Sequence, residues 1–274
     1  MANIQSKTNF NNRPKFSVAI KSDSYQKLIN DTLGDKKTAA AFVADITTAV
    51  ANNSVLANCD AGSILSAGLQ AQRLNLPLTN GLGFVYLVPY GNKAQFQISY
   101  KGLIQLAQRS GKFEKLGVKE IHEGQVKGYD EFGDEIIEFS REYDNNEIVG
   151  YYAYFKLLNG FKKTLYWTKE QCMKHAKTYS KSYGNGSATD LWTNNFDLMS
   201  CKTVLKQLLS RYAPLSVEMQ QAILSDQAVI QQNGTYSYVD NPSEEETPTQ
   251  PEIVEEITES AKPEEQPNSE IFNI

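Results

Sequence analysis

Near residue 84 the apolar residues change their spacing, and that change limits the fold more than any other feature. Before it they recur every three to four positions. Ala39, Phe42, Val43, Ile46 and Val50 share one face of a helix that Asp35 would cap. Asp60 would cap a second, carrying Ile64, Leu65 and Leu69 and ending before Pro77. After it the period falls to two. Residues 84–88 and 95–100 read as strands around Tyr90-Gly91-Asn92, a hairpin signal. Residues 117–121, 135–141, 148–158 and 161–167 read as further strands, with Asn159-Gly160 as a two-residue turn joining the last two. Helices return between and after them. One runs from Tyr100 to Gly111, and Thr168 with Gln171 makes a capping box for another to about Thr178. Residues 179–189 form a glycine-rich loop expected to be mobile. Asp190 opens a long helix to Tyr212, stopped by Pro214, and Ser216 caps a last one to about Gln231. The expected class is α+β: mainly antiparallel strands, segregated helices and a disordered acidic C-terminal tail.

Charge divides the chain where composition alone does not. The net charge of −5 averages a body of +5, residues 1–233, and a tail of −10, residues 234–274. The tail is rich in Pro, Glu, Ser and Thr, with too few apolar residues to offset the entropy of ordering. Ile253-Val254 and Ile271-Phe272 are its two apolar spots, readable as docking sites or as part of a plain solubilising tail. The organisation expected is a flexible arm over 1–23, a core over 24–232 and a disordered tail over 233–274. A basic body suits a polyanion.

Several chemistries find no support in the residues. Cys59, Cys172 and Cys201 are odd in number and widely spaced, and His122 and His175 stand isolated. Neither a disulfide framework nor a Cys/His zinc site fits that pattern. No phosphate-binding G-x-x-x-x-G-K-[ST] loop, G-x-S-x-G or H-E-x-x-H motif occurs. No run is apolar enough to span a membrane, and no secretory signal stands at the N-terminus, so a cytoplasmic location is expected. Asp134, Glu135 and Glu138 cluster as a metal-dependent nuclease would need, although carboxylates on the wet face of a hairpin give the same pattern.

The polyanion site expected from the residues begins on the Tyr100–Gly111 helix. Lys101, Gln105, Gln108 and Arg109 share one face without a carboxylate, opposite Leu103, Ile104, Leu106 and Ala107. Lys112, Lys115 and Lys119 follow at once. Long cationic and amide side chains at one-turn spacing can donate to a row of phosphates and sugars. On the later long helix Lys202 and Lys206 share a face one turn apart, and Arg211 lies on the other flank, where it could serve a neighbouring subunit. Trp192 and Phe196, one turn apart, are candidates for base stacking or for core and subunit contact. Tyr151, Tyr152 and Tyr154 are assigned to packing.

Three stretches carry a resemblance. Leu74-Asn75-Leu76-Pro77, then Gly83-Phe84-Val85-Tyr86-Leu87-Val88-Pro89-Tyr90, then Gln97-Ile98-Ser99-Tyr100-Lys101-Gly102-Leu103-Ile104-Gln105-Leu106-Ala107-Gln108-Arg109-Ser110-Gly111 resemble the phage RecT family of recombinases, over roughly residues 30 to 230. The resemblance implies an ATP-independent single-strand annealing protein without catalytic residues. It would bind single-stranded DNA, pair complementary strands and hold the annealed duplex in a homo-oligomeric ring or helical filament. A phage 5'-to-3' exonuclease and the host single-strand-binding protein are the implied protein partners, within a bacterial cytoplasm. No cofactor is implied as required, with Mg²⁺ a candidate modulator. A metal-dependent nuclease using Asp134, Glu135 and Glu138, or a passive single-strand binder, are the alternatives.

Overall fold

In the computed structural model the described residues are 14–78, 81–180, 182–186, 190–230 and the backbone of 236–237. Four helices come first: α1 (Phe16–Ala19), α2 (Asp23–Leu33), α3 (Lys36–Ala51) and α4 (Ala61–Arg73). Both expected caps form. Asp35 accepts from the Thr38 amide at 2.7 Å, and Asp60 from the Ser63 amide at 3.0 Å. Strands β1 (Val85–Tyr90) and β2 (Lys93–Ile98) make the expected hairpin around Gly91-Asn92, and α4 packs on β2. Ser99 then caps α5 (Tyr100–Arg109), donating its hydroxyl to the Gly83 carbonyl while accepting from the Gly102 amide.

The central sheet has the order β3-β6-β7, all antiparallel, from β3 (Phe113–His122), β6 (Ile148–Leu157) and β7 (Lys162–Thr168). A small hairpin, β4 (Val126–Tyr129) with β5 (Glu135–Ile137), is inserted between β3 and β6. The capping box at Thr168 and Gln171 starts α6 (Lys169–Tyr179). Then come α7 (Leu191–Asn194), α8 (Phe196–Tyr212) and α9 (Val217–Ser225), with short strands β8 (Val229–Ile230) and β9 (Tyr236–Ser237). From Tyr151 onward strand β6 alternates. Tyr151, Ala153, Phe155 and Leu157 are buried, while Tyr152, Tyr154 and Lys156 turn the other way. Helix α8 packs on the buried face, where Asp197 accepts a hydrogen bond from the Tyr151 hydroxyl. The α+β class with antiparallel sheets is the observed one.

Five local expectations need correction. The arm over 1–23 is not all free, because Phe16 and Ile20 of the first helical turn are buried in the core. The Asn159-Gly160 turn is one residue longer. Leu157 pairs with Phe161, and Gly160 takes a positive φ of 89° with its amide on the Leu157 carbonyl. The long helix from Asp190 breaks at Asn195 (φ −140°, ψ 49°), and Trp192 and Phe196 then meet edge to face across the break. Helix α9 stops at Ser225 rather than near Gln231, since Asp226 leaves the helix to reach cations on α8. The tail boundary at 233 moves, because Tyr236–Ser237 pair with Val229–Ile230. Residues 238–274, with both apolar spots of the tail, lie outside the described residues.

Candidate nucleic-acid interface

Helix α5 presents the expected strip. Lys101, Gln108 and Arg109 are exposed, Gln105 is half-buried, and Leu103, Leu106 and Ala107 are buried. Gly102 permits this seating, since a Cβ there would fall 2.3 Å from the Phe84 carbonyl oxygen and 2.6 Å from Ile98. The helix is therefore pressed onto the first hairpin, and its polar side is fixed outward. The two ends of the strip have different surroundings. Arg109 donates to the Leu74 carbonyl at 3.0 Å. Glu218 of α9 lies near the same guanidinium; its carboxyl is held below the usual range by its own backbone amide and by Ser216, and further by Arg109. Lys101 instead borders a cavity of about 450 Å³ between the first hairpin, α5 and the α7–α8 junction. Leu198, Met199 and Pro89 give it apolar walls, and Gln97 adds an amide.

Lys202 lines that cavity too, but its charge is already engaged. The sequence places Lys202 and Lys206 on one face as polyanion contacts, and in the structure both ammonium groups meet one carboxylate. Lys202 is 5% exposed, and its Nζ lies 2.8 Å from Asp226 Oδ1. Lys206 Nζ lies 2.8 Å from Oδ2 of the same carboxylate. Asp226 also accepts from the Ile98 amide at 3.2 Å. Burial pushes the Asp226 carboxyl up, and the two ammonium groups outweigh it and hold it below its ordinary range. The cluster therefore joins α8 to β2 and to the end of α9. Helical spacing could place the two lysines on one face, but only the chain's return could bring a carboxylate to it.

The aromatic candidates are resolved in the same way. Trp192 is 4% exposed, packed with Ala176 and Met199 and against His175, so it is a core residue and not a stacking surface. Phe196, half-buried, meets Tyr151 with ring centroids 6.2 Å apart. His175 is not the isolated surface residue expected. It sits among Trp167, Tyr179 and Trp192, and burial, with Lys206 adding to it, lowers its pKa to about 4. Arg211 is exposed in the last turn of α8.

Lys112, Lys115 and Lys119 are exposed. Lys115 and Lys119 stand on the face of the central sheet turned away from α8, the face shared by their partners Lys156 and Tyr152. The single strip expected from the sequence is thus two surfaces, one on α5 and one on the sheet. The register aligns two cations of the basic 156–211 segment with that face, because Lys156 pairs with both Lys115 and Lys162. Their signal lay in the Asn159-Gly160 turn, which sets that register.

The three carboxylates of the nuclease alternative are not assembled for metal chemistry. Lys163 holds Asp134 at 2.6 Å, and Lys127 holds Glu138 at 3.1 Å. Among the described residues no three His, Cys, Asp or Glu side chains converge, and no helix is long and apolar enough to cross a membrane.

Comparison with known proteins bears on the same segments. Residues 40–247 match the RecT family. The chain is 42% identical over 209 residues to the uncharacterized protein YqaK of Bacillus subtilis (strain 168), covering 76% of this chain and 70% of that one. It is 30% identical over 228 residues to Protein RecT of Escherichia coli (strain K12), covering 76% of this chain and 81% of the relative.

Proposed function

The chain belongs to the RecT family, and on that premise we propose that it anneals complementary single strands of DNA in homologous recombination without ATP. The observation that carries the reading is α5 and its continuation. Lys101, Gln108, Arg109, Lys112, Lys115 and Lys119 are exposed along one segment inside the family match, and α5 contributes no carboxylate. Two complementary strands repel through their phosphates. Fixed cations neutralise that charge and lower the barrier to encounter. Contacts that leave the Watson–Crick edges free let the bases test pairing, so base-pair geometry supplies the specificity. No bond is made or broken, so no catalytic group is needed, and the protein is not an enzyme on this reading.

A homo-oligomer, ring or filament, would align many weak sites along one strand and bind it tightly as an array. A phage 5'-to-3' exonuclease that produces the single strand and the host single-strand-binding protein that coats it are the proposed partners, in a bacterial cytoplasm. No cofactor is required, and Mg²⁺ acts at most by screening phosphate charge. Mixing labelled complementary strands with the protein, ATP omitted and Mg²⁺ varied, tests the reading. The expected result is faster duplex formation with strands of unchanged length. Slower annealing would identify a passive binder, and shortened strands a nuclease; either result overturns the proposal.

A further inference from the structure

We propose that the face of the β3-β6-β7 sheet turned away from α8 is a stacking platform for the bases of single-stranded DNA. This rests on the annealing reading and names where one strand would be held. The register arranges the face as a grid of three rows, about 7 Å apart along the strands. The first row is Lys115–Lys156–Lys162, the second Gly117–Tyr154–Thr164 and the third Lys119–Tyr152–Tyr166.

The first row is costly for a folded sheet. Like charges directly opposite on neighbouring strands are destabilising. Among the described residues only Lys156 of the three has an ion-pair partner, Glu114 at 2.7 Å. Three aligned ammonium groups with one carboxylate suit a phosphate backbone crossing the strands.

The tyrosines lie down rather than stand up. The Tyr154 ring crosses onto β3 over Gly117, where a Cβ would fall 2.7 Å from its hydroxyl oxygen and 2.9 Å from Cζ. Tyr166 crosses onto β6 over Gly150, where a Cβ would meet the ring at 2.4 Å. Any larger residue at either glycine would lift the ring. Tyr152, Tyr154 and Tyr166 are half-buried, so part of each side chain remains open on this face. Tyr152 and Tyr154 are nearly parallel, with centroids 6.1 Å apart and planes 30° apart. Phe139 borders them edge-on to Tyr152, with the Lys119 ammonium 4.6 Å from its centroid. The carboxylates at the border are Glu114, Asp134 and Glu135. Lys156 and Lys163 engage the first two, and Glu135 lies at the Tyr152–Tyr166 end, away from the lysine row.

Flat aromatics beside cations are how open sheets hold unstacked bases, and stacking accepts any base. Single strands fit and duplexes do not, because only an unstacked base offers its π-face. The mode also serves annealing. A base held by its face keeps its Watson–Crick edge free for the incoming strand.

The test uses the full chain and two probes of equal length, an oligothymidylate and an abasic strand with the same phosphates. The wild type should bind the base-bearing strand more tightly. Tyr154→Leu should lose about tenfold on it while the abasic affinity and the salt slope stay put, and Tyr154→Phe should keep wild-type binding. Lys115→Gln with Lys162→Gln should flatten the salt slope by about 0.7 per lysine and keep the preference for bases. Photocrosslinking wild-type protein to a 5-iodouracil strand should label the peptide holding Tyr152 and Tyr154, which covers the case of a variant that does not fold. Equal losses on both probes, an unchanged Tyr154→Leu, or crosslinks confined to other peptides would overturn the platform. If no single strand binds at all, the annealing reading fails first. If strands anneal while Tyr154→Leu behaves as wild type, only the platform fails.

Discussion

The Asp226 carboxylate, just past the end of α9, lies 2.8 Å from the Lys202 ammonium in the interior, with Lys206 on its other oxygen and the Ile98 amide donating to it. Removing its charge leaves two buried or half-buried ammonium groups without a counter-ion. Asp226→Asn should cost about 3–5 kcal/mol of stability, read as a fall in the urea midpoint. Lys202→Met should cost less, since Lys206 still faces the carboxylate. The double change Lys202→Glu with Lys206→Glu gathers three carboxylates and should prevent folding. A native circular dichroism spectrum for that double variant would contradict the cluster's role.

Lys101 and Arg109 should separate in experiment. Lys101 is exposed, so Lys101→Ala should change stability by under about 0.5 kcal/mol. Its salt slope for single-strand binding should drop by about 0.7, the share of one phosphate. Arg109→Ala also removes the bond to the Leu74 carbonyl and should lower the melting temperature measurably. Equal thermal shifts in the two variants would contradict the different surroundings of the two ends.

Gly102→Ala places a methyl 2.3 Å from the Phe84 carbonyl oxygen, which belongs to backbone and cannot rotate away. Overpacking of this kind costs about 1–3 kcal/mol. The shift should appear in chemical denaturation of the DNA-free protein, and an unchanged midpoint would mean that α5 sits farther from the hairpin.

His175 makes stability depend on pH. Its folded pKa is about 4, below the roughly 6.5 of an unfolded histidine. Between those values the unfolded chain takes up the proton first. Its contribution is therefore complete above pH 6.5, falls as pH drops toward 4, and changes no further below that. His175→Phe should flatten the decline in urea midpoint between pH 7 and pH 4.5 relative to wild type. Parallel declines would show that the imidazole is not held neutral by its aromatic neighbours.

The legible part of the chain was local. The caps at Asp35, Asp60 and Thr168 involve residues three positions apart, and each forms as the spacing requires. The period change at residue 84 identified the first hairpin, and the one-sided polarity of α5 gave its buried and exposed faces. These follow from backbone geometry that any short window contains. Lys202 could not be judged in the same way, because the residue that consumes its charge is Asp226, 24 positions later and beyond a helix. Tyr152 and Tyr154 looked like Tyr151, but alternation put them together on the face of β6 opposite Tyr151, and only the packing of α8 decided which face was interior. The lysine row exists because a turn one residue longer than expected set Lys156 against Lys162, while β3 arrived with Lys115 on the other side. Which elements form, and which side of each is apolar, could be read along the chain, since those depend on neighbours within a turn or two. Tertiary structure decided which charges are free and which are neutralised, since Coulomb energy and desolvation depend on distance in space and not along the chain.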